Sequence, residues 1–158
     1  MGTLADNYHK EAKPAMFLRF APWISRLPLV AATIIFTAIS SKFLIDPVHT
    51  AAERGIIFAS GVGITIGRIG FGAFPLAFAI ITLSCLISKQ RLLAGIYIVL
   101  TVVTIALLVR VAGMIADNSV KESMRVLIPE IVLMVISVVA LSVELRRRHY
   151  EPAIESAD

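Results

Sequence analysis

Four apolar runs set what this chain can fold into. They cover residues 26–45, 66–87, 92–116 and 128–145. Each is close to the roughly 20 residues that carry a helix across ~30 Å of hydrocarbon. A soluble domain of 158 residues could not hide them: 58% of the chain is hydrophobic and 16% charged, against about 45–50% and about 25% in soluble proteins. The reading is therefore an all-α integral membrane protein, a four-transmembrane-helix bundle. Residues 1–22 form an N-terminal tail and 147–158 a C-terminal one. Trp23 stands at the head of the first run as an interfacial anchor. The long leader before that run, with Phe43–Ile45 beyond the weak small-residue site at Ala38–Ser40, favours a retained anchor over a cleaved signal.

Segment 46–65 is excluded from the spans. Asp46-Pro47 stops the first helix. Glu53-Arg54 is costly in lipid, and Gly61 and Gly63 interrupt the apolar stretch after it. The segment reads as an extracytoplasmic or interfacial link, with a re-entrant segment as the alternative. The four-residue Ser88–Arg91 turn makes the second and third helices antiparallel neighbours.

The net charge of +4 invites a nucleic-acid reading, but the basic residues flank the apolar runs. They serve topology instead. With the N-terminus inside, cytoplasmic parts hold Lys10, Lys13, Arg19, Arg26, Lys89, Arg91, Arg146, Arg147 and Arg148. The outer parts hold Lys42, Arg54, Lys121 and Arg125. Both termini are expected in the cytoplasm. Cys85 is the only cysteine and sits in an apolar run, so it reads as a core residue. His9, His49 and His149 lie outside the spans, so no metal or haem site is expected. No cofactor motif and no Ser/His/Asp set appears.

Three ionisable residues fall inside the spans: Arg68, Arg110 and Glu130. Such residues need a partner or a wet cavity. Topology places all three in the outer third of the bilayer. Arg68, Gly72, Pro75, Ala79 and Thr82 share one helical stripe, and Glu130, Met134, Ser137, Leu141 and Glu144 share another. Thr33, Thr37 and Ser40 do the same on the first helix. Small and polar stripes should face other helices, so an intramembrane salt bridge is expected between Arg68 and Glu130. The polar stripe of the third helix is Tyr97, Thr101 and Thr104, and Arg110 projects opposite it. Arg110 joins the pair or snorkels outward. Asp117 and Tyr97 are second-tier candidates. Glu130 follows Pro129, which suits a first helical turn, so the acid has a plain alternative role at a helix N-terminus.

The stretches GITIGRIGFGAFPLAFAI, LLVRVAGMIADNS and LIPEIVLMVISVVALSVEL resemble the small four-pass bacterial proteins of domain-of-unknown-function family 4345. The resemblance runs from about Pro47 to Leu145, with Arg68 and the following glycines, Arg110 with Asp117, and Glu130 as landmarks. It implies a four-helix bundle in a bacterial inner membrane and brings no activity, substrate or cofactor. A looser likeness is to four-pass proteins of the DoxX type.

Function is expected at the charged cluster. Two arginines against one carboxylate leave a positive surplus that an anionic lipid or small carboxylate would complete. The site alternatively docks a partner membrane subunit. The expected class is a binding or accessory protein, not an enzyme. A small-molecule transporter acting as a homo-oligomer and a purely structural subunit are the alternatives. Reporter fusions in the 46–65 segment and in the 114–124 loop are expected to read out on the outer side. A cytoplasmic readout from either would overturn the charge argument.

Overall fold

The computed structural model describes the backbone of residues 4–118 and 120–155, and the side chains of 20–118, 120, 124 and 126–149. Lys10, Lys13, Arg19, Lys121 and Arg125, which entered the charge count, have side chains outside the described residues. Six α-helices follow in order: α1 (Leu4–Ile45), α2 (Pro47–Ala52), α3 (Gly61–Gly67), α4 (Phe74–Ile87), α5 (Leu92–Ala116) and α6 (Val120–Glu155). A π-helical stretch, Arg68–Ala73, joins α3 to α4 without a break. Four segments are long and apolar enough to cross a membrane: Phe20–Ile45, Gly61–Ile87, Leu92–Ala116 and Val126–His149. The chain is thus an all-helical, multi-pass membrane protein. It divides into two units, one of residues 29–95 and one of residues 1–28 with 96–158.

In the first of these units, α1 ends where Asp46 caps α2. The Asp46 side chain accepts from the His49 N–H at 3.1 Å, and Pro47 opens the helix. The far end of α2 closes on Gly55, whose φ of 74° is left-handed. The Ile56 N–H reaches back to the Ala51 carbonyl at 2.9 Å and that of Gly55 to Ala52 at 3.0 Å, a Schellman closure. The chain then runs extended to Ser60, whose hydroxyl accepts from Gly63 N–H and starts α3. The second spanning helix therefore begins at Gly61, not at residue 66. The Gly63-x-x-x-Gly67 spacing serves a different neighbour from the helix it suggests. The Phe58 ring lies on that glycine face, and a Cβ at Gly67 would collide with it.

The π-helical stretch carries consequences for register. Phe74 N–H bonds the Ile69 carbonyl, five residues back, just before Pro75, which has no N–H to offer. The extra residue moves the buried face: Gly67 and Gly72 are buried, five apart, followed by Ala79 and Thr82. Arg68 falls out of that line and is exposed. The lower part of its expected stripe does face inward. Thr82 meets Thr33 of α1 at 2.9 Å, and Phe36 and Phe78 lie 5.8 Å apart centroid to centroid. Thr37 is exposed, whereas Ser40 is buried.

The Ser88–Arg91 turn is closed by Arg91 N–H to the Ser88 carbonyl at 3.2 Å. It brings α5 back so closely that Gly95 sits against Cys85 and Leu29. A Cβ at Gly95 would stand 2.6 Å from the Cys85 Cβ and 2.7 Å from the Leu29 Cδ2. Gly95→Ala is expected to cost about 1–3 kcal/mol as overpacking, read as a lower unfolding midpoint in detergent. Gly113→Ala, whose Cβ would meet only Asp117 Oδ2 at 3.8 Å, should leave the midpoint unchanged or raise it.

Candidate functional site

The second unit contains the start of α1, most of α5 and all of α6. α5 ends at Asp117, whose N–H bonds the Gly113 carbonyl, and at Asn118, which takes a left-handed φ of 51°. The chain reverses there into α6. Arg110 stands six residues before the end of α5 and Glu130 ten residues after the start of α6. The offset of ~6 Å along the helices is within the reach of an arginine side chain.

They meet. Arg110 Nε donates to Glu130 Oε2 at 2.7 Å, and Nη2 donates to Oε1 at 2.6 Å. This is the fork-to-fork geometry in which guanidinium and carboxylate bind most strongly. The partner of Glu130 is thus Arg110 rather than the expected Arg68. Arg68 lies in the other unit, exposed, and no ion pair of the described residues includes it. Two misreadings led there. One is the π-helical phase shift across Arg68–Ala73. The other is the assumption that the polar stripe of α5 faces inward. Leu92, Ile96, Val99, Val103, Leu107 and Met114 form the buried stripe, and it is apolar. Arg110 falls on that line, between Leu107 and Met114. Tyr97 is 47% exposed, and Thr101 is exposed as well.

α6 starts at Val120, so Pro129 and Glu130 stand well inside the helix. The acid is not at a helix N-terminus, and the alternative role expected for it lapses. The inward stripe of α6 follows the expected phase: Ser137 and Glu144 are fully buried, with Glu130, Met134 and Leu141 half-buried.

Glu144 is the residue that sequence reasoning undervalued. Its side chain is 0% exposed. Arg147 donates to both of its oxygens, at 3.0 and 2.8 Å, and Arg148 Nε donates at 3.0 Å. The buried Ser25 hydroxyl of α1 faces the same carboxylate. The signal was present as acid and base at i, i+3 and i+4, but it was masked by reading Arg146–Arg148 as a topology mark. Glu144 lies ~21 Å along α6 from Glu130. The fourth span thus carries a second charged cluster toward its other end.

Beside Arg110 a groove of about 510 Å³ opens along α5, lined by Val102, Ile105, Ala106, Val109 and Arg110. Its residues precede Arg110 by one, four, five and eight positions, so it runs ~12 Å from the ion pair toward the middle of the span. Both charged side chains stay reachable, at 31% and 21% exposure. Asp117, seven residues beyond Arg110, is exposed, its carboxylate over Gly113. Among the described residues no group of three His, Cys, Asp or Glu side chains could hold a metal.

No protein family matches the chain, and neither a curated protein nor a solved structure is similar to it.

A double-mutant cycle tests the pair. Arg110→Met and Glu130→Gln are each expected to lower the unfolding midpoint by about 1–3 kcal/mol, because each leaves an orphan polar or charged group in the span. The double variant should recover most of that loss.

Proposed function

We propose that this chain is a lipid-binding accessory protein of a bacterial inner membrane, with the Arg110–Glu130 pair as its headgroup site. The observation that supports this most is the order of chemistry along α5. A hydrogen-bonding charged pair stands near the hairpin end, and an apolar groove runs from it toward the middle of the span. A lipid in that leaflet has the same order, polar head outward and chain inward. With both termini cytoplasmic, as the charge distribution argues, the hairpin end lies in the outer leaflet. The resemblance to domain-of-unknown-function family 4345 adds only a four-pass architecture to this reading.

Within the pair one guanidinium faces one carboxylate, so the pair alone carries no positive surplus. What supports lipid binding is instead the unspent hydrogen-bonding capacity of the pair and the apolar groove below it.

Ala106→Phe is the direct test. It fills the groove and leaves the ion pair untouched. Native mass spectrometry of the wild-type protein, stripped of bulk lipid by detergent exchange, is expected to show one retained phospholipid. The Ala106→Phe variant should retain at least about tenfold less. Equal retention in both would remove the groove from the function.

A further inference from the structure

We infer that the lipid held at this site is a zwitterionic phospholipid with a primary amine, its phosphate on Arg110 and its ammonium on Glu130. This rests on the lipid-binding reading above and names the headgroup class.

Charge comes first. Among the described residues, the charged side chains at the hairpin end of this unit are Arg110, Glu130 and Asp117. The pair itself is neutral. A purely anionic headgroup seated on it would meet one guanidinium and one carboxylate. A headgroup with one negative and one positive group matches both halves of the pair.

Hydrogen-bonding capacity points the same way. A guanidinium has five N–H groups, and the bonds to Glu130 use one from Nε and one from Nη2. Three remain, enough for two phosphate oxygens. A carboxylate offers about four lone-pair positions, and Arg110 occupies one on each oxygen. The remaining positions suit N–H donors. A primary ammonium supplies three, whereas a trimethylammonium supplies none. Left empty in a low-dielectric setting, these donors and acceptors would each carry a desolvation cost.

Depth also agrees. Arg110 lies six residues before the end of α5 and Glu130 four residues into the fourth span, so both sit ~6–9 Å inside the spans. That is the boundary between headgroups and chains, and the groove continues from it into the chain region.

The experiment reconstitutes the full-length protein in vesicles containing equal amounts of phosphatidylethanolamine, phosphatidylcholine and phosphatidylglycerol. Lipid retained after detergent exchange is then identified by native mass spectrometry. Phosphatidylethanolamine should be enriched at least about fivefold over each of the others. Glu130→Gln keeps the phosphate arm and loses the ammonium arm, so its preference should move toward phosphatidylglycerol. A second series needs no variant: with mono- and dimethylated phosphatidylethanolamine, wild-type retention should fall with each N–H removed. Phosphatidylcholine retained as well as phosphatidylethanolamine would overturn the ammonium assignment. A preference for phosphatidylglycerol in the wild type would overturn the zwitterionic one. Either result leaves lipid binding at the groove intact. That broader reading fails only if no lipid is retained above the level of Ala106→Phe.

Discussion

Hydrocarbon offers no hydrogen bonds, and this one fact governs the chain from end to end. Backbone groups must be satisfied within their own segment, which leaves helices for every span. Many side-chain hydroxyls follow the same rule by turning back onto their own helix, the buried Ser25 and Ser40 of α1 excepted. Thr33 donates to the Leu29 carbonyl, Thr82 to Phe78, Ser84 to Ile80, Ser137 to Leu133 and Ser142 to Val138. Charged groups have no such local escape unless a partner lies three or four residues away, as for Glu144 and its two arginines. Arg110 and Glu130 have no neighbour of that kind. They need each other across the hairpin, and that requirement ties α5 to α6.

The helical class and the four spans were legible because they depend on the length of the apolar runs. Residues 92–116 form a helix with the bounds the apolar run predicted. The inward face of α6 was legible because a single uninterrupted helix keeps one phase from Glu130 to Glu144. Where the phase slips, periodicity misleads. Across Arg68–Ala73 the chain adds one residue per turn, and a stripe drawn at 3.6 residues no longer joins Arg68 to Gly72. No pattern in GRIGFGAFP announces that slip beyond the proline at its end.

The site itself failed for a different reason. Polar residues were assumed to mark the inward face of every helix, because lipid is apolar. On α5 the reverse holds: packing is apolar, as Val99, Val103 and Leu107 show, and Tyr97 and Thr101 sit outward. Tyr97 lies five residues into α5, beside the Ser88–Arg91 turn, where an amphipathic ring can reach the interface. What would have identified Arg110 as the partner is connectivity. Helices joined by a short turn are neighbours by default, and Arg110 and Glu130, six and ten residues from its two ends, differ by only ~6 Å in depth whatever the helical phase. A long arginine side chain supplies the remaining reach.

The existence of the pair also argues against a purely structural purpose. Replacing a buried salt bridge by apolar residues of similar size is often neutral or stabilising, by up to about 4 kcal/mol. Between α5 and α6, leucines at these two positions would continue the apolar seam of Leu107, Met114 and Leu133 with no charge to desolvate. Glu144 and its arginines differ, since that carboxylate is wholly enclosed and doubly bound. The Arg110–Glu130 pair is held firmly on one edge and left open on the other, beside an apolar groove. A clamp gains nothing from an open edge. The proposed headgroup site uses that edge, because the donors and acceptors facing outward would set which headgroup can approach.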